Sequence, residues 1–309
     1  KTGFLTTKGF RDTLYIGREI RYDLYDLAID MPAQLVARSM IREIEERIDH
    51  QGNIITPLVI DEVQKAAREL INEGAQSLGI GFLHSFMHPE HEEQAEAAIL
   101  NEHPQITVSI SSNVAPEIRE LERFSTTVAN AYVQPLAKEY LTKLNTQLQE
   151  LGVESDLFLM LSNGGVASVG TVQDFPIRLV ESGPAAGVLA ATFFGAEAGL
   201  TNIIAFDMGG TTAKICLVND GEPGIAYSFE VARTQRFKKG SGLPIKAPAI
   251  NLIEIGAGGG SIANVNQFGL LQVGPQSAGA NPGPACYGIG GNHPTVTDAD
   301  LLLGYLDPD

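Results

Sequence analysis

The sequence contains no tryptophan, only two cysteines and few basic residues for its length. Its 309 residues include 21 Lys and Arg against 37 Asp and Glu, which gives a formal net charge of −16 at pH 7. A surface this acidic repels polyanions and argues against nucleic acid or an anionic membrane as the main partner. It does not exclude a nucleotide, because a local group of backbone amides can hold phosphate.

The two cysteines lie far apart in the chain. Cys216 falls in an apolar run and Cys286 in a segment rich in glycine and proline. Two cysteines in a chain of this size do not indicate a disulfide framework, and we expect free thiols in a cytoplasmic protein. No apolar run reaches the roughly 18 residues that a membrane helix needs, so we expect neither a membrane helix nor a signal peptide.

The first third of the chain alternates predicted strands with predicted helices. A helix from Asp61, closed by Gly74, is indicated by apolar residues that recur on one helical face. A strand over 77–83, a helix over 89–100 opened by Pro89, and a strand over 106–111 follow. Upstream, short strands over 40–48 and 54–55 flank a turn at 50–53. This alternation predicts a mostly parallel sheet covered on both faces.

A long helix is predicted over 117–151, with a kink at Pro135. Its apolar residues recur every four positions, and we assign Tyr132 and Tyr140 of that stripe to core packing. A short strand over 157–161 then delivers Ser162–Gly165 to its carboxyl end, the usual location of ligand loops in parallel sheets. A plain glycine turn is an equally good interpretation of that segment.

Three histidines, His84, His88 and His91, lie within eight residues and could converge on zinc. Pro89 restarts the backbone between the second and the third, so the spacing fits a metal site poorly. A strand end followed by a helix N-terminus is the favoured interpretation.

The segment 203–218 is an apolar strand, a polar turn and a second apolar strand, the pattern of a tight β-hairpin. The first strand ends at Asp207, and Gly209, Gly210, Thr211 and Thr212 form the turn. Glycines let an anion approach the backbone, and we expect positive φ in this turn. Amides and threonine hydroxyls could then bind phosphate, and Asp207 could hold Mg²⁺. The alternative is a simple hairpin turn with a polar strand end.

Two flanking segments favour the phosphate site. Residues 181–191 predict a helix with proline in its first turn and a lining of alanine and glycine, which suits close packing, as in a hinge between domains. Residues 256–262 follow an apolar run and include Gly258, Gly259, Gly260 and Ser261. That segment is too rich in glycine for an ordinary core.

The remainder of the C-terminal part predicts small elements. A third strand over 225–231 would complete a three-stranded meander, and Gly269 turns a second hairpin between Val265 and Val273. A basic loop carries Arg233, Arg236, Lys238 and Lys239, which a solvated surface explains better than an anion site. A long loop over 274–291 precedes a last helix that starts at Asp298 and stops near Gly304.

At residues 181–191, 203–218 and 256–262 the chain resembles the hydantoinase A and oxoprolinase family. The resemblance also includes segments 6–12, 122–127, 162–165 and 279–288, and so extends along nearly the whole chain. It implies an α/β protein with the two-domain fold of actin, sugar kinases and heat-shock chaperone ATPases. We expect a partial first domain over 1–199 and a second domain, also partial, that carries the phosphate hairpin over 200–309.

The resemblance also implies the chemistry. Family members use ATP to phosphorylate an amide or carbonyl oxygen, either to open a cyclic amide of the hydantoin or oxoproline type or to carboxylate a ketone. In that scheme Asp207 positions Mg²⁺ or the attacking group, residues 209–212 bind phosphates, and residues 258–261 approach the nucleotide. A hydantoinase B-type subunit or domain is the implied partner.

The family pattern opens with an earlier Asp-Gly-Gly-Thr hairpin that this sequence does not contain. We therefore expect either a fragment or a missing piece supplied by a separate chain. A nucleotide-dependent interaction module without turnover is the competing hypothesis, and ATPase activity that appears only with the upstream segment would favour the enzyme. A sugar or acetate kinase shares the fold, but it lacks the segments 182–187 and 283–287.

Overall fold

The computed structural model describes residues 1–18, 21–235 and 238–308. Contacts divide them into two compact units: unit 1 comprises residues 1–180 and 226–249, and unit 2 runs over 181–225 and from 250 onward. The predicted domain boundary near residue 200 stays a prediction. None of the helices in the described ranges combines the length and the apolar character that crossing a membrane would require.

The strands are β1 Thr2–Thr7, β2 Ile41–Ile44, β3 Arg47–Ile48, β4 Ile54–Thr56, β5 Ser77–Gly81, β6 Thr107–Ile110, β7 Phe158–Met160, β8 Val166–Ser168, β9 Ile203–Met208, β10 Ala213–Asn219, β11 Glu222–Pro223, β12 Ile225–Ala226, β13 Phe229–Val231, β14 Leu243–Ile245, β15 Ala249–Ile250, β16 Ile253–Ile255, β17 Ser261–Val265 and β18 Leu271–Ser277. The helices are α1 Thr13–Ile16, α2 Ile60–Asn72, α3 Glu90–Glu102, α4 Ser111–Val114, α5 Glu120–Glu150, α6 Val169–Asp174, α7 Ser182–Glu197 and α8 Val296–Leu302.

A parallel sheet forms the centre of unit 1. Its strands lie in the order β2-β1-β5-β6, and every neighbouring pair is parallel. Phe4, Leu78, Ile80 and Phe124 are buried in the core around it. Gly81 admits helix α5, because a Cβ atom there would lie 2.5 Å from Cδ1 of Phe124. The predicted parallel sheet and the helices α2 and α3 are confirmed.

The predicted strand over 40–48 is wrong in one respect. It is two strands, of which β2 belongs to the parallel sheet while β3 pairs with β4 in an antiparallel hairpin around the predicted turn. The chain changes sheet at Glu45 and Glu46. The Glu46 side chain turns into the interior, where Nδ1 of His91 lies 2.7 Å from its Oε2 atom.

The long helix forms, but the core assignment of its tyrosines is wrong. Tyr132 is 54% exposed and Tyr140 is 62% exposed, whereas Val128 and Leu141 are buried. A helix turns by about 100° per residue, so a repeat of four drifts by about 40° at each step and leaves the buried face. Pro135 lies inside the helix, and the kink predicted there stays a prediction.

The strand before Ser162–Gly165 is confirmed, but its predicted place in a parallel sheet is wrong. Strands β7 and β8 form a two-stranded antiparallel sheet, and the segment is the turn between them. Gly164 adopts a φ of 86°, which glycine tolerates without strain. The segment is thus the turn of a two-stranded antiparallel hairpin in unit 1, separate from the parallel sheet.

Unit 2 is built on the predicted hairpin of β9 and β10, which is confirmed. On its other edge β10 pairs with β16 near its start and with β11 at its end. The predicted strand over 225–231 is broken, so the three-stranded meander is wrong. Helix α7 packs its buried Ala185 and Val188 against this sheet. The predicted hairpin around Gly269 is confirmed as β17 and β18.

Candidate functional site

The hairpin tip consists of residues 209–212. Met208 pairs with Ala213, and the amide of Gly209 donates to the carbonyl of Thr212 at 3.0 Å. Neither glycine of the tip has a positive φ, so that prediction is wrong. Four residues close the hairpin where a two-residue turn would have needed left-handed backbone. A Cβ atom on Gly210 would meet no atom of the described chain within 4 Å, so the fold itself does not require glycine there.

The glycine-rich loop of residues 256–261 is bound to this tip by its backbone. The amide of Gly259 donates to the carbonyl of Gly209 at 3.0 Å, and that of Gly260 donates to the carbonyl of Gly210 at 2.7 Å. In a trans peptide the N–H points opposite to the C=O, so the amides of Gly210 and Thr211 face away from the loop. Neither amide donates a hydrogen bond to an acceptor within the described residues.

Gly258 allows the loop to approach the tip so closely. A Cβ atom there would lie 2.6 Å from the carbonyl oxygen of Gly209 and 2.6 Å from the amide nitrogen of Thr211. The side chain of Ser261 is buried, and its Oγ atom accepts from the amide of Gly258 at 2.9 Å. The loop therefore fixes the tip from one side, and its serine hydroxyl is used inside the loop.

Asp207 lies near the end of β9 and is exposed. Helix α7 passes nearby, since a Cβ atom on Gly187 would lie 3.8 Å from Oδ2 of Asp207. Among the residues that the structure describes, nothing donates a hydrogen bond to this carboxylate, and no three His, Cys, Asp or Glu side chains form a metal cluster. A Mg²⁺ ion at Asp207 would therefore complete its coordination with water and phosphate oxygens, as Mg²⁺ commonly does in nucleotide sites.

Lys214 is a cation of this site that the sequence analysis missed. Its Nζ atom lies 3.0 Å from Oγ1 of Thr212 and 3.2 Å from Oε2 of Glu181. Glu254 lies across the strand pair, with Oε1 at 3.9 Å. Side chains two residues apart on a strand share one face, so the spacing of Thr212 and Lys214 was the available signal.

The N-terminus of α8 holds the far side of the glycine loop. The amide of Thr297 donates to the carbonyl of Gly259 at 2.9 Å. The helix begins at Val296, two residues before the predicted start, because Thr295 and Asp298 form a capping box. Asp298 also accepts from the amide of Cys286 at 2.7 Å. Desolvation raises the pKa of Asp298, but its hydrogen bonds to Cys286 and Thr295 prevail and lower that pKa to about 2.

The other candidate segments lie in unit 1. His91 is buried against Glu46, and His84 has a φ of 59° where the chain leaves β5. In the basic loop, Lys238 pairs with Asp23, and Arg233 pairs with Glu230 at 3.2 Å. Arg236 lies outside the described residues.

Both cysteines lie in unit 2. Cys216 is buried, Cys286 is exposed, and both are free thiols as predicted.

Comparison with known proteins places the chain in a family. The hydantoinase/oxoprolinase family model matches residues 123–309, and the model of the hydantoinase/oxoprolinase N-terminal region matches residues 1–103. The chain belongs to the hydantoinase/oxoprolinase family, and the resemblance inferred from the sequence is confirmed. The family comprises ATP-dependent lactamases and ketone carboxylases.

Among the curated relatives, caprolactamase subunit alpha of Pseudomonas jessenii is 37% identical over 308 residues, which cover 99% of this chain and 43% of the relative. 5-Oxoprolinase 1 of Arabidopsis thaliana is 35% identical over 98% of this chain and 24% of its own. An uncharacterized protein of Methanocaldococcus jannaschii is 43% identical over 99% of this chain and 45% of its own. The chain thus spans less than half the length of these relatives.

Two solved structures share the fold. The nucleotide-free structure of acetone carboxylase superposes with a TM-score of 0.78 at 28% identity, over 100% of this chain and 44% of that one. The ATP-dependent caprolactamase of Pseudomonas jessenii gives a TM-score of 0.76 at 36% identity, over 99% of this chain and 43% of that one. The fold is α/β, with one parallel sheet and several antiparallel ones, and these neighbours agree with an actin-like ATPase fold.

Proposed function

We propose that this chain supplies the nucleotide site of an ATP-dependent enzyme that opens a cyclic amide of the hydantoin or oxoproline type. In this reaction the amide oxygen attacks the γ-phosphorus of ATP, and the bond to the leaving ADP breaks. Water then adds to the activated carbon, the ring C–N bond breaks as the nitrogen takes up a proton, and a second water hydrolyses the resulting acyl phosphate to carboxylate and phosphate. ATP-dependent carboxylation of a ketone is the alternative, because the relatives include both lactamases and carboxylases.

The hairpin tip carries this proposal. Within residues 1–18, 21–235 and 238–308, the amides of Gly210 and Thr211 have no hydrogen-bond acceptor, and no atom lies within 4 Å of a Cβ atom placed on Gly210. Successive free amides at a turn form a concave anion site, and phosphoryl transfer depends chiefly on such positioned donors. Lys214 lies beside Thr212 and pairs with Glu181 and Glu254, so a phosphate at the tip would share this cation with the two carboxylates.

The predicted site residues have distinct roles in the proposal. Gly209, Gly210, Thr211 and Thr212 bind the phosphates, and Asp207 positions Mg²⁺ or the attacking group. Residues 258–261 approach the nucleotide from the loop side and hold the tip in shape through their backbone hydrogen bonds. A partner subunit of the hydantoinase B type would complete the enzyme, since caprolactamase subunit alpha and the beta subunit of acetone carboxylase are named as subunits.

Titration calorimetry with Mg-ATP on the 309-residue chain tests the site. Gly210→Ala should weaken binding at least about tenfold, because its methyl group fills space that the fold leaves open to a phosphate. Gly170→Ala is the matched control, since a Cβ atom there also meets nothing within 4 Å and its φ is ordinary. Equal affinity in both variants would remove the tip from the nucleotide site.

Asp207→Asn tests the metal role separately. The exchange keeps the side-chain volume and removes one charge, so it should abolish the Mg²⁺ dependence of nucleotide binding while the melting temperature stays the same. An unchanged Mg²⁺ dependence would exclude Asp207. Phosphate release with caprolactam, 5-oxoproline and acetophenone then separates the lactamase from the carboxylase, because only the cyclic amides should stimulate a lactamase.

A further inference from the structure

Unit 1 contains a cavity of about 260 Å³ beside the Ser162–Gly165 turn. Four side chains of its wall, Val114, Ala115, Ile177 and Ala247, are buried and belong to or adjoin the hydrophobic cluster under α5. The cavity also borders Asn163 and Arg178. Small-molecule sites commonly combine such an apolar wall with a few polar groups, and this volume suits a ligand of about ten heavy atoms.

A buried serine connects the two polar residues of the cavity. The amide and the hydroxyl of Ser162 both donate to the carbonyl of Arg178, at 2.8 and 2.6 Å. Ser162 is itself buried, so this contact holds the turn against the segment of Arg178. The Asn163 carbonyl oxygen Oδ1 accepts from the amide of Gly165 at 2.9 Å, which leaves the Nδ2 group of Asn163 as a donor.

The guanidinium of Arg178 has no carboxylate or carbonyl acceptor among residues 1–18, 21–235 and 238–308. It lies 4.6 Å from the centre of the Phe175 ring, and that cation–π contact supports its plane but uses none of its hydrogen-bond donors. Lys246, on the same cavity, forms an ion pair with Glu117. One positive charge, that of Arg178, is therefore left uncompensated there.

We infer that this cavity binds a small organic carboxylate whose apolar body contacts Ile177 and Ala247. The planar guanidinium fork matches the two oxygens of a carboxylate, and Arg binds such groups in preference to neutral acceptors. The Nδ2 group of Asn163 adds a second donor. Every residue of the site lies in unit 1, so the inference stands independently of the nucleotide site proposed above.

Calorimetric titration of the 309-residue chain with benzoate, and in parallel with its neutral isostere benzamide, tests the inference. Benzoate should bind saturably with one site per chain, and benzamide should bind at least about tenfold more weakly. Absence of benzoate binding would overturn the inference. Equal or tighter binding of benzamide would overturn the assignment of a carboxylate.

Two variants locate the binding. Arg178→Gln removes the charge, and Asn163→Asp keeps the acceptor that holds the turn but replaces the donor with a negative charge. Each should reduce benzoate affinity at least about tenfold. Lys65→Gln, an exposed position on α2, removes one charge from the same unit and should leave the affinity unchanged.

The melting temperature of these variants should equal that of the parent, which checks that unit 1 is folded, and their Mg-ATP affinity should also be unchanged. Unchanged benzoate affinity in both Arg178→Gln and Asn163→Asp would place benzoate elsewhere and overturn the site. Loss of nucleotide binding in the Gly210→Ala variant with benzoate binding intact is expected if both proposals hold. Failure of one proposal is thus distinguishable from failure of the other.

Discussion

Nη2 of Arg123 donates to the carbonyl oxygen of Phe82 at 2.8 Å, in a side chain with no exposure to solvent. The Nε atom of the same guanidinium donates to Oγ of Ser111, which in turn donates to Oε1 of Glu92. Glu92 is also fully buried and accepts from the amide of Phe82 at 2.8 Å. Burial lowers the pKa of Arg123, while Glu92 and Glu120 act to raise it. A buried ionic network thus joins the carboxyl ends of β5 and β6 to α5.

Removal of the Arg123 charge should therefore be costly. Arg123→Met leaves the Glu92 carboxylate buried without its cation, and we expect a loss of about 3–5 kcal/mol in the free energy of unfolding. Urea denaturation measures it. The matched control is Arg68→Met, because Arg68 pairs with Glu102 at the surface and such pairs contribute about 1 kcal/mol or less. Similar losses in both variants would contradict the prediction.

Lys214 should contribute to nucleotide affinity. Lys214→Gln removes the cation beside Thr212, and we expect Mg-ATP to bind about tenfold more weakly, with a smaller dependence on salt. Calorimetry at two ionic strengths measures both effects. Lys65→Gln controls for the change in net charge, and a loss of affinity in that control would assign the effect to long-range electrostatics.

Ala185 should tolerate no larger side chain. It is completely buried where α7 packs on the sheet of unit 2, so Ala185→Leu should lower the free energy of unfolding by roughly 1–3 kcal/mol through overpacking. Ala190→Leu, at an exposed position of the same helix, is the control. Equal thermal stability of the two variants would show that the contact can expand.

The capping residue Asp298 should make the free energy of unfolding depend on pH in the acid range. Its pKa falls from 3.8 to about 2 on folding, so the stabilisation is fully present above pH 4 and is lost as the pH falls towards 2. Asp298→Asn should flatten the dependence of the free energy of unfolding on pH in this window and leave the slope above pH 5 unchanged. Parallel curves for variant and parent would contradict this expectation.

The same variant should also change Cys286. The pKa of the Cys286 thiol is raised mainly by its hydrogen bond with Asp298 and to a smaller extent by desolvation. Asp298→Asn removes the negative charge, so iodoacetamide should alkylate Cys286 faster at pH 8, with a pH profile shifted to lower pH. Cys216 is buried and provides the internal reference, because its labelling rate should stay the same.

Local patterns predicted the elements whose partners are close in sequence. The hairpin of β9 and β10 follows from two apolar runs around a glycine turn, and helix α2 from a regular apolar face. The predicted burial of Tyr132 and Tyr140 on α5 was wrong because residues four apart were assumed to stay on one face of the helix. Strand β1 lies between β2 and β5 and is entirely buried. Its short sequence has no local pattern that predicts this central position, because its partners are distant in sequence.

The candidate site was predictable in composition but not in arrangement. Glycines at 209, 210 and 258–260 indicated close backbone approach. Only the structure shows that the loop binds the carbonyls of Gly209 and Gly210, and that the amides of Gly210 and Thr211 have no acceptor among the described residues. Lys214 and the docking of Thr297 depend on register and on contacts distant in sequence. The two-residue spacing of Thr212 and Lys214 signals that they share a face, but the contact of Thr297 with Gly259 cannot be read from spacing.

The hydrogen bonds that join Gly209 to Gly259, and Gly259 to Thr297, connect segments separated by tens of residues. Loops of that length must close before those bonds form, so we expect the glycine loop to dock on the tip late when unit 2 folds. A nucleotide that binds only the completed tip would then draw the folding equilibrium towards the native state. Through these bonds an anion at the hairpin would stabilise the start of α8, which lies more than 80 residues further along the sequence.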